Sequence, residues 1–212
     1  MPYYQQDTQS RPITYHLIIV NVIFFLATLI NENFMIANFG LWHPHSPYFK
    51  VWQPLSYMFM HGGFWHILFN MYSLWIFGMA VERFIGDRKF LILYFATGLG
   101  AAAAQLAVQS FTGLYYPTVG ASGCVYGIIV AFAVLFPQTQ LTLIFPPVTL
   151  SAKMMAIIFI GIELFLGITG TQEGVAHFAH LGGALIGWLL IWWWYKKPKR
   201  NKHENHYVHY DY

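Results

Sequence analysis

A chain of 212 residues that is 57% hydrophobic and 9% charged cannot dress a water-facing surface, for which roughly 25% charged residues are usual. The charges cluster between apolar stretches of bilayer-spanning length, which excludes a soluble globular enzyme and indicates one compact polytopic membrane bundle. The net charge of +3 comes mainly from a basic tail beside the membrane, pointing to lipid headgroups as a partner and not to nucleic acid.

In chain order, residues 1–13 form a polar segment with the single basic residue Arg11 and neither a basic n-region nor a small-residue cleavage site. The first apolar stretch, 14–31, therefore reads as a retained transmembrane helix. Further helical spans are predicted at 63–81, 90–109, 119–136, 150–169 and 175–195, so the membrane domain runs from 14 to 195 as an all-α bundle of six transmembrane helices. Between the first two spans, residues 32–61 carry Trp42, Tyr48, Phe49, Trp52, Tyr57 and Phe59. Such rings favour the headgroup region, either as a loop lying in it or as an ordinary aromatic belt. Beyond Trp192, Trp193 and Trp194, residues 196–212 are basic and lack an apolar face, which predicts a disordered tail.

Six spans place both termini on one side. With that side cytoplasmic, Arg11, Arg83, Arg88, Lys89, Lys153, Lys196, Lys197, Lys199, Arg200 and Lys202 lie inside and only Lys50 lies outside, a marked positive-inside bias.

The second, fourth and sixth spans then run from outside to inside. A few residues into them come His66 with Asn70 one turn deeper, Ser122, and His180. At ~1.5 Å rise per residue the three reach a shared depth of roughly 5–8 Å. A serine hydroxyl needs an adjacent base to become a nucleophile, and neutral His180 is placed to accept its proton and later return it to a leaving amine. Ser122 falls in the first helical turn, where free N–H groups and the positive dipole end favour an oxyanion. His66 and Asn70, at i and i+4, add donors for transition-state stabilisation. Gly120 and Gly123 let the backbone approach a substrate closely, and Gly183 with Gly187 permits close approach of the fourth span to the sixth.

Of the eight acidic residues only Glu163 falls inside a span. The expected machinery is thus a Ser122–His180 dyad, with Glu163 held by a local structural partner or protonated, and not orienting His180. Cys124 is expected to be inert packing, and His61 and His177 interfacial. A single cysteine excludes an internal disulfide and a cysteine-built metal site. No cofactor and no metal are called for.

Gly120-Ala121-Ser122-Gly123, Ala179-His180-Leu181-Gly182-Gly183 and His66-Ile67-Leu68-Phe69-Asn70 resemble the G-x-S-G, A-H-x-x-G and H-x-x-x-N motifs of rhomboid intramembrane serine proteases. Tyr126 matches the tyrosine that packs on the family's catalytic histidine, and Glu82-Arg83 with Gly86 resembles the turn that ends its second helix. The likeness runs from about residue 50 to 190. One departure stands out: Trp52 is followed by Gln53, where the family often has arginine. The resemblance implies a six-helix core and a water-filled cavity open to the outside. It also implies cleavage of transmembrane protein substrates in or near their membrane segments, and a fifth helix and a loop near Gly170–Gly174 that move to admit them. A bacterial inner membrane is the expected location. Two other readings use the same residues: an inactive rhomboid-like binding scaffold, and a metal or ion transport site built from His61, His66, His177 and His180. The H-E-x-x-H pattern of zinc proteases is absent.

Overall fold

The computed structural model describes residues 12–143, 147–170 and 176–195. The expectations for 1–11, for the tail from 196 onward and for most of the loop at 170–174 fall outside the described residues.

Helix α1 spans Ile13–Ile30 and is followed directly by α2, Glu32–Phe39, which the side chain of Asn31 caps through the Phe34 N–H. A short α3 covers Gln53–Ser56, and a 3₁₀ turn Tyr57–Phe59 follows. The second span is continuous from Phe64 to Ile85: α4 (Phe64–Ser73), a π segment (Leu74–Gly78) and α5 (Met79–Ile85). After it come α6 (Asp87–Thr112), α7 (Ser122–Leu135), strands β1 (Gln140–Thr142) and β2 (Thr149–Ser151), α8 (Ala152–Thr169) and α9 (His177–Tyr195). The β1–β2 hairpin, with Leu141 opposite Leu150, was not legible as strand among these apolar neighbours.

The fold is an all-α polytopic bundle. α1, the α4–α5 span, α6 and α8 are each long and apolar enough to cross a bilayer. The other two expected spans differ from these. α7 has only 14 residues, ten of them buried; shielded by protein along most of its length, it need not present a lipid-length apolar face. α9 has 19 residues, with His177 and His180 near its start and a tryptophan-rich end that lowers its apolar character. The core of the bundle is the packing of α9 on α6 and α7, with α8 outside on α9 and α7. Outward faces of α1 and α8 expose Ile19, Ile23 and Leu26, and Ile157, Phe165 and Ile168, as lipid contact demands.

Close helix approach carries the architecture. A Cβ on Gly183 would stand 2.0 Å from the Gly123 carbonyl oxygen, so α7 and α9 meet backbone to backbone directly beneath the site. At the opposite end, the buried Glu82 carboxylate accepts from the Ile13 and Thr14 N–H groups and from the Thr14 hydroxyl. It satisfies free donors at the start of α1 and places negative charge at the positive dipole end.

The segment 32–61 is folded, not a simple belt. Gln53 is fully buried: its side-chain oxygen accepts from the Trp42 and Lys50 N–H groups, and its NH₂ donates to the Ala37 and Tyr48 carbonyls. A neutral amide thus ties the loop together at the position where the family often has a cation. Leu41 pairs with Thr118 and the Gly120 N–H donates to the Tyr57 carbonyl at 3.0 Å, fastening this loop to the segment that leads into α7.

Candidate active site

Ser122 is the first residue of α7 and follows Ala121 directly. The Ser122 Oγ lies 2.8 Å from His180 Nε2, with His180 one turn into α9. Accepting the hydroxyl proton at Nε2 requires the neutral ring to carry its own hydrogen on Nδ1. Two helices far apart in sequence thus deliver hydroxyl and imidazole to one hydrogen bond, and the Gly123–Gly183 contact sets their distance.

Gly120 has φ +137°, a conformation that favours glycine. A Cβ there would also stand 2.8 Å from His66 Nε2, so the His66 ring reaches the residue just before the α7 entry. The Gly62 N–H donates to His66 Nδ1 at 3.4 Å, leaving Nε2 as the protonated nitrogen facing the Gly120–Ser122 turn. A cavity of about 490 Å³ lined by Gly62, Trp65, His66, Gly120, Ser122 and His180 opens at this point. Asn70 is not among its lining residues: its side chain donates to the His66 carbonyl on its own helix at 2.8 Å.

Tyr126 lies one turn along α7 and stacks on the His180 ring, with centroids 4.5 Å apart and planes at 6°. Its hydroxyl donates to Glu163 Oε1 on α8. The other carboxylate oxygen, Oε2, is 2.7 Å from His177 Nδ1 and 3.0 Å from His180 Nδ1. The His177 contact is a hydrogen bond. The His180 contact has the distance of one but lies off the N–H direction, and Nδ1 makes no aligned bond among the described residues.

The structure adds to three expectations here. Glu163 does have local partners in Tyr126 and His177, but it also faces His180, because α8 packs on α9 at this level. His177, the first residue of α9, is 6% exposed and enclosed by the bundle. His61 is buried as well, at 1% exposure, edge-on to His66 with ring centroids 5.0 Å apart. Neither burial was visible in sequence, since both histidines sit at span ends and are covered by segments from elsewhere in the chain. Cys124 is buried. The histidine convergence weighed as a metal site takes a different form: His177 and His180 meet Glu163, with ligand atoms within 4.8 Å, while His61 and His66 pair separately.

The Rhomboid domain profile matches residues 48–197, well over half of the chain. The chain belongs to the rhomboid family. This rhomboid is 32% identical to the human presenilin-associated rhomboid-like protein, mitochondrial, over 136 residues, covering 64% of this chain and 35% of that protein. It is 28% identical to the mitochondrial rhomboid protein 1 of Saccharomyces cerevisiae over 187 residues, 79% of this chain and 53% of the relative. With the rhomboid protease GlpG of Yersinia pestis identity is 26% over 190 residues, 88% of this chain and 64% of the relative. This rhomboid therefore spans about a third to two thirds of the length of these relatives. It is an integral membrane protein by family and by its apolar helices. The expected bacterial inner membrane finds no support, because relatives of higher identity are mitochondrial.

Proposed function

We propose that this rhomboid is an intramembrane serine endopeptidase acting on membrane-anchored proteins, with Ser122 as nucleophile and His180 as general base and acid. The observation that supports it most is the 2.8 Å contact of Ser122 Oγ with His180 Nε2 at the wall of a cavity. In this reading the hydroxyl proton passes to Nε2 as Oγ bonds the scissile carbonyl carbon. The carbonyl oxygen, now anionic, meets free N–H groups at the start of α7 and the Nε2–H of His66. Collapse of the intermediate breaks the C–N bond, and the imidazolium gives its proton to the leaving amine. A water molecule entering the cavity, deprotonated by the same nitrogen, then releases the acyl chain and restores Ser122.

Ser122→Ala and His180→Ala are each expected to abolish cleavage of a reporter transmembrane substrate while the protein stays folded in detergent, and a fluorophosphonate probe is expected to label Ser122. Near-normal turnover by either variant would sink the assignment. A folded wild-type chain that neither cleaves nor labels would leave the inactive-scaffold reading standing.

A further inference from the structure

Rhomboid chemistry as read from the motifs needs two side chains, yet the described structure places a carboxylate behind the second. Glu163, the acidic residue inside a predicted span, is 6% exposed. The mechanism above does not use it. Its Oε1 is occupied by the Tyr126 hydroxyl. Its Oε2 is shared between His177 Nδ1 at 2.7 Å and His180 Nδ1 at 3.0 Å. Tyr126 holds both partners at once, stacking on His180 and hydrogen-bonding Glu163.

We infer that Glu163 is a positioning residue that fixes His180 in the tautomer with hydrogen on Nδ1, making with Ser122 and His180 a Ser–His–Glu arrangement braced by Tyr126 and His177. This rests on the proteolytic reading above. An imidazole with its hydrogen on Nε2 would present a donor to Ser122 Oγ and could not take its proton; a carboxylate beside Nδ1 favours the productive form and stabilises the imidazolium that follows proton transfer. In this structure Nδ1 lies off the hydrogen-bond direction to Oε2, and catalytic hydrogen bonds commonly align only in the substrate complex. His177 is part of the device, because its aligned bond keeps Oε2 in place.

The same three residues could instead hold a metal ion, and the distances favour the hydrogen-bonded arrangement. Ligands bound tetrahedrally at the usual 2.0–2.1 Å lie about 3.3 Å from one another. The 2.7 Å between His177 Nδ1 and Glu163 Oε2 is instead a hydrogen-bond length, and EDTA treatment separates the two readings.

The test uses the full chain purified in detergent. Glu163→Gln is nearly isosteric, removes the charge and offers a donor where an acceptor is needed. It is expected to lower kcat by about 10²–10⁴ with KM within about twofold, the pattern of a wrong tautomer. Glu163→Asp, which keeps the charge, is expected to recover part of the loss. ¹⁵N-histidine NMR of the wild type is expected to show His180 protonated at Nδ1, and of Glu163→Gln a mixture of tautomers. Unchanged kcat in a folded Glu163→Gln protein overturns the inference, as does wild-type His180 protonated at Nε2, a measurement that needs no variant to fold. Loss of activity on EDTA treatment would assign the cluster to a metal and also overturn it. If the wild type neither cleaves nor labels at Ser122, the proteolytic reading falls by itself, and the tautomer measurement still reports on the Glu163 contact.

Discussion

His61 illustrates how much a single residue can owe to its surroundings. It lies in the loop before α4, outside the spans, with both ring nitrogens buried and lacking hydrogen-bond partners among the described residues. Burial, with a smaller contribution from nearby His66, pushes its pKa from the usual histidine value of about 6.5 down to about 3. The folded protein therefore keeps His61 neutral where an unfolded chain would protonate it. Below about pH 6.5 the unfolded state binds the additional proton, so this residue's contribution is fully present above that pH and is lost progressively as pH falls towards 3. Replacing His61 with phenylalanine is expected to flatten the fall of the thermal midpoint between pH 6.5 and 4, read by light scattering or a thiol-reactive dye on the solubilised protein. An unchanged slope would show that His61 is already open to water. At this scale the sequence was a partial guide. Ser122, His180, His66 and Tyr126 could be placed from span starts and motif spacing, and the structure brings them together. Asn70, which turns to its own helix backbone, and the burial of His61 and His177 could not, because side-chain direction and covering loops leave no periodic signal.

Among the elements, α7 and α9 decide the geometry of the site, and their contact is made of main chain. Gly183→Ala would put a methyl group 2.0 Å from the Gly123 carbonyl oxygen, far inside contact distance, so the helices must part. Overpacking of this kind costs about 1–3 kcal/mol or more. The Ser122–His180 hydrogen bond should lengthen with it. The expected outcome is a lower thermal midpoint together with a loss of Ser122 probe labelling larger than that of an equally destabilised variant on the lipid face of α1. Equal losses in the two would show that the crossing matters only for stability. The longer spans were legible as apolar stretches, with α6 and α8 within a few residues of expectation. The extra turn at the end of the α4–α5 span was missed, since Glu82 and Arg83 read as a boundary although Glu82 is buried to cap α1. Glu163 was assigned to a span correctly, but its face on α8 relative to α9 depends on helix rotation, which an almost uniformly apolar helix does not encode. Gln53 shows the converse: a departure from the family pattern that looked like a loss is a residue with every polar atom engaged.

The whole molecule has a direction. Leu41 and the loop that holds Lys50 are fastened to the segment entering α7, whereas the Ala152 N–H bonds the Thr139 carbonyl just beyond its far end, so Lys50 and Lys153 belong to opposite ends of that helix. The excess of Lys and Arg on the Lys153 end predicts that this end faces the cytoplasm or its equivalent, with the cavity opening on the other side. Cys124 is the sole thiol and is buried, giving a low background for labelling. Lys50→Cys is expected to react with a membrane-impermeant maleimide from the cavity side of sealed vesicles, and Lys153→Cys only after the vesicles are opened or inverted. Reaction of both from one side would contradict the bundle's orientation across the bilayer.

The main-chain seam between Gly123 and Gly183 also bears on how the protein meets lipids of different thickness. An outer helix whose apolar length mismatches the bilayer adapts by tilting, and α1, with its lipid-facing aliphatic surface, is the helix placed to do so, whereas α8 is tied to the site through Glu163. α7 is mostly enclosed and meets α9 at Gly123 and Gly183 without intervening side chains that could compress or slide. Thinning or thickening the bilayer is thus absorbed away from this seam, while the backbones that carry hydroxyl and imidazole are kept in register by contact between peptide units.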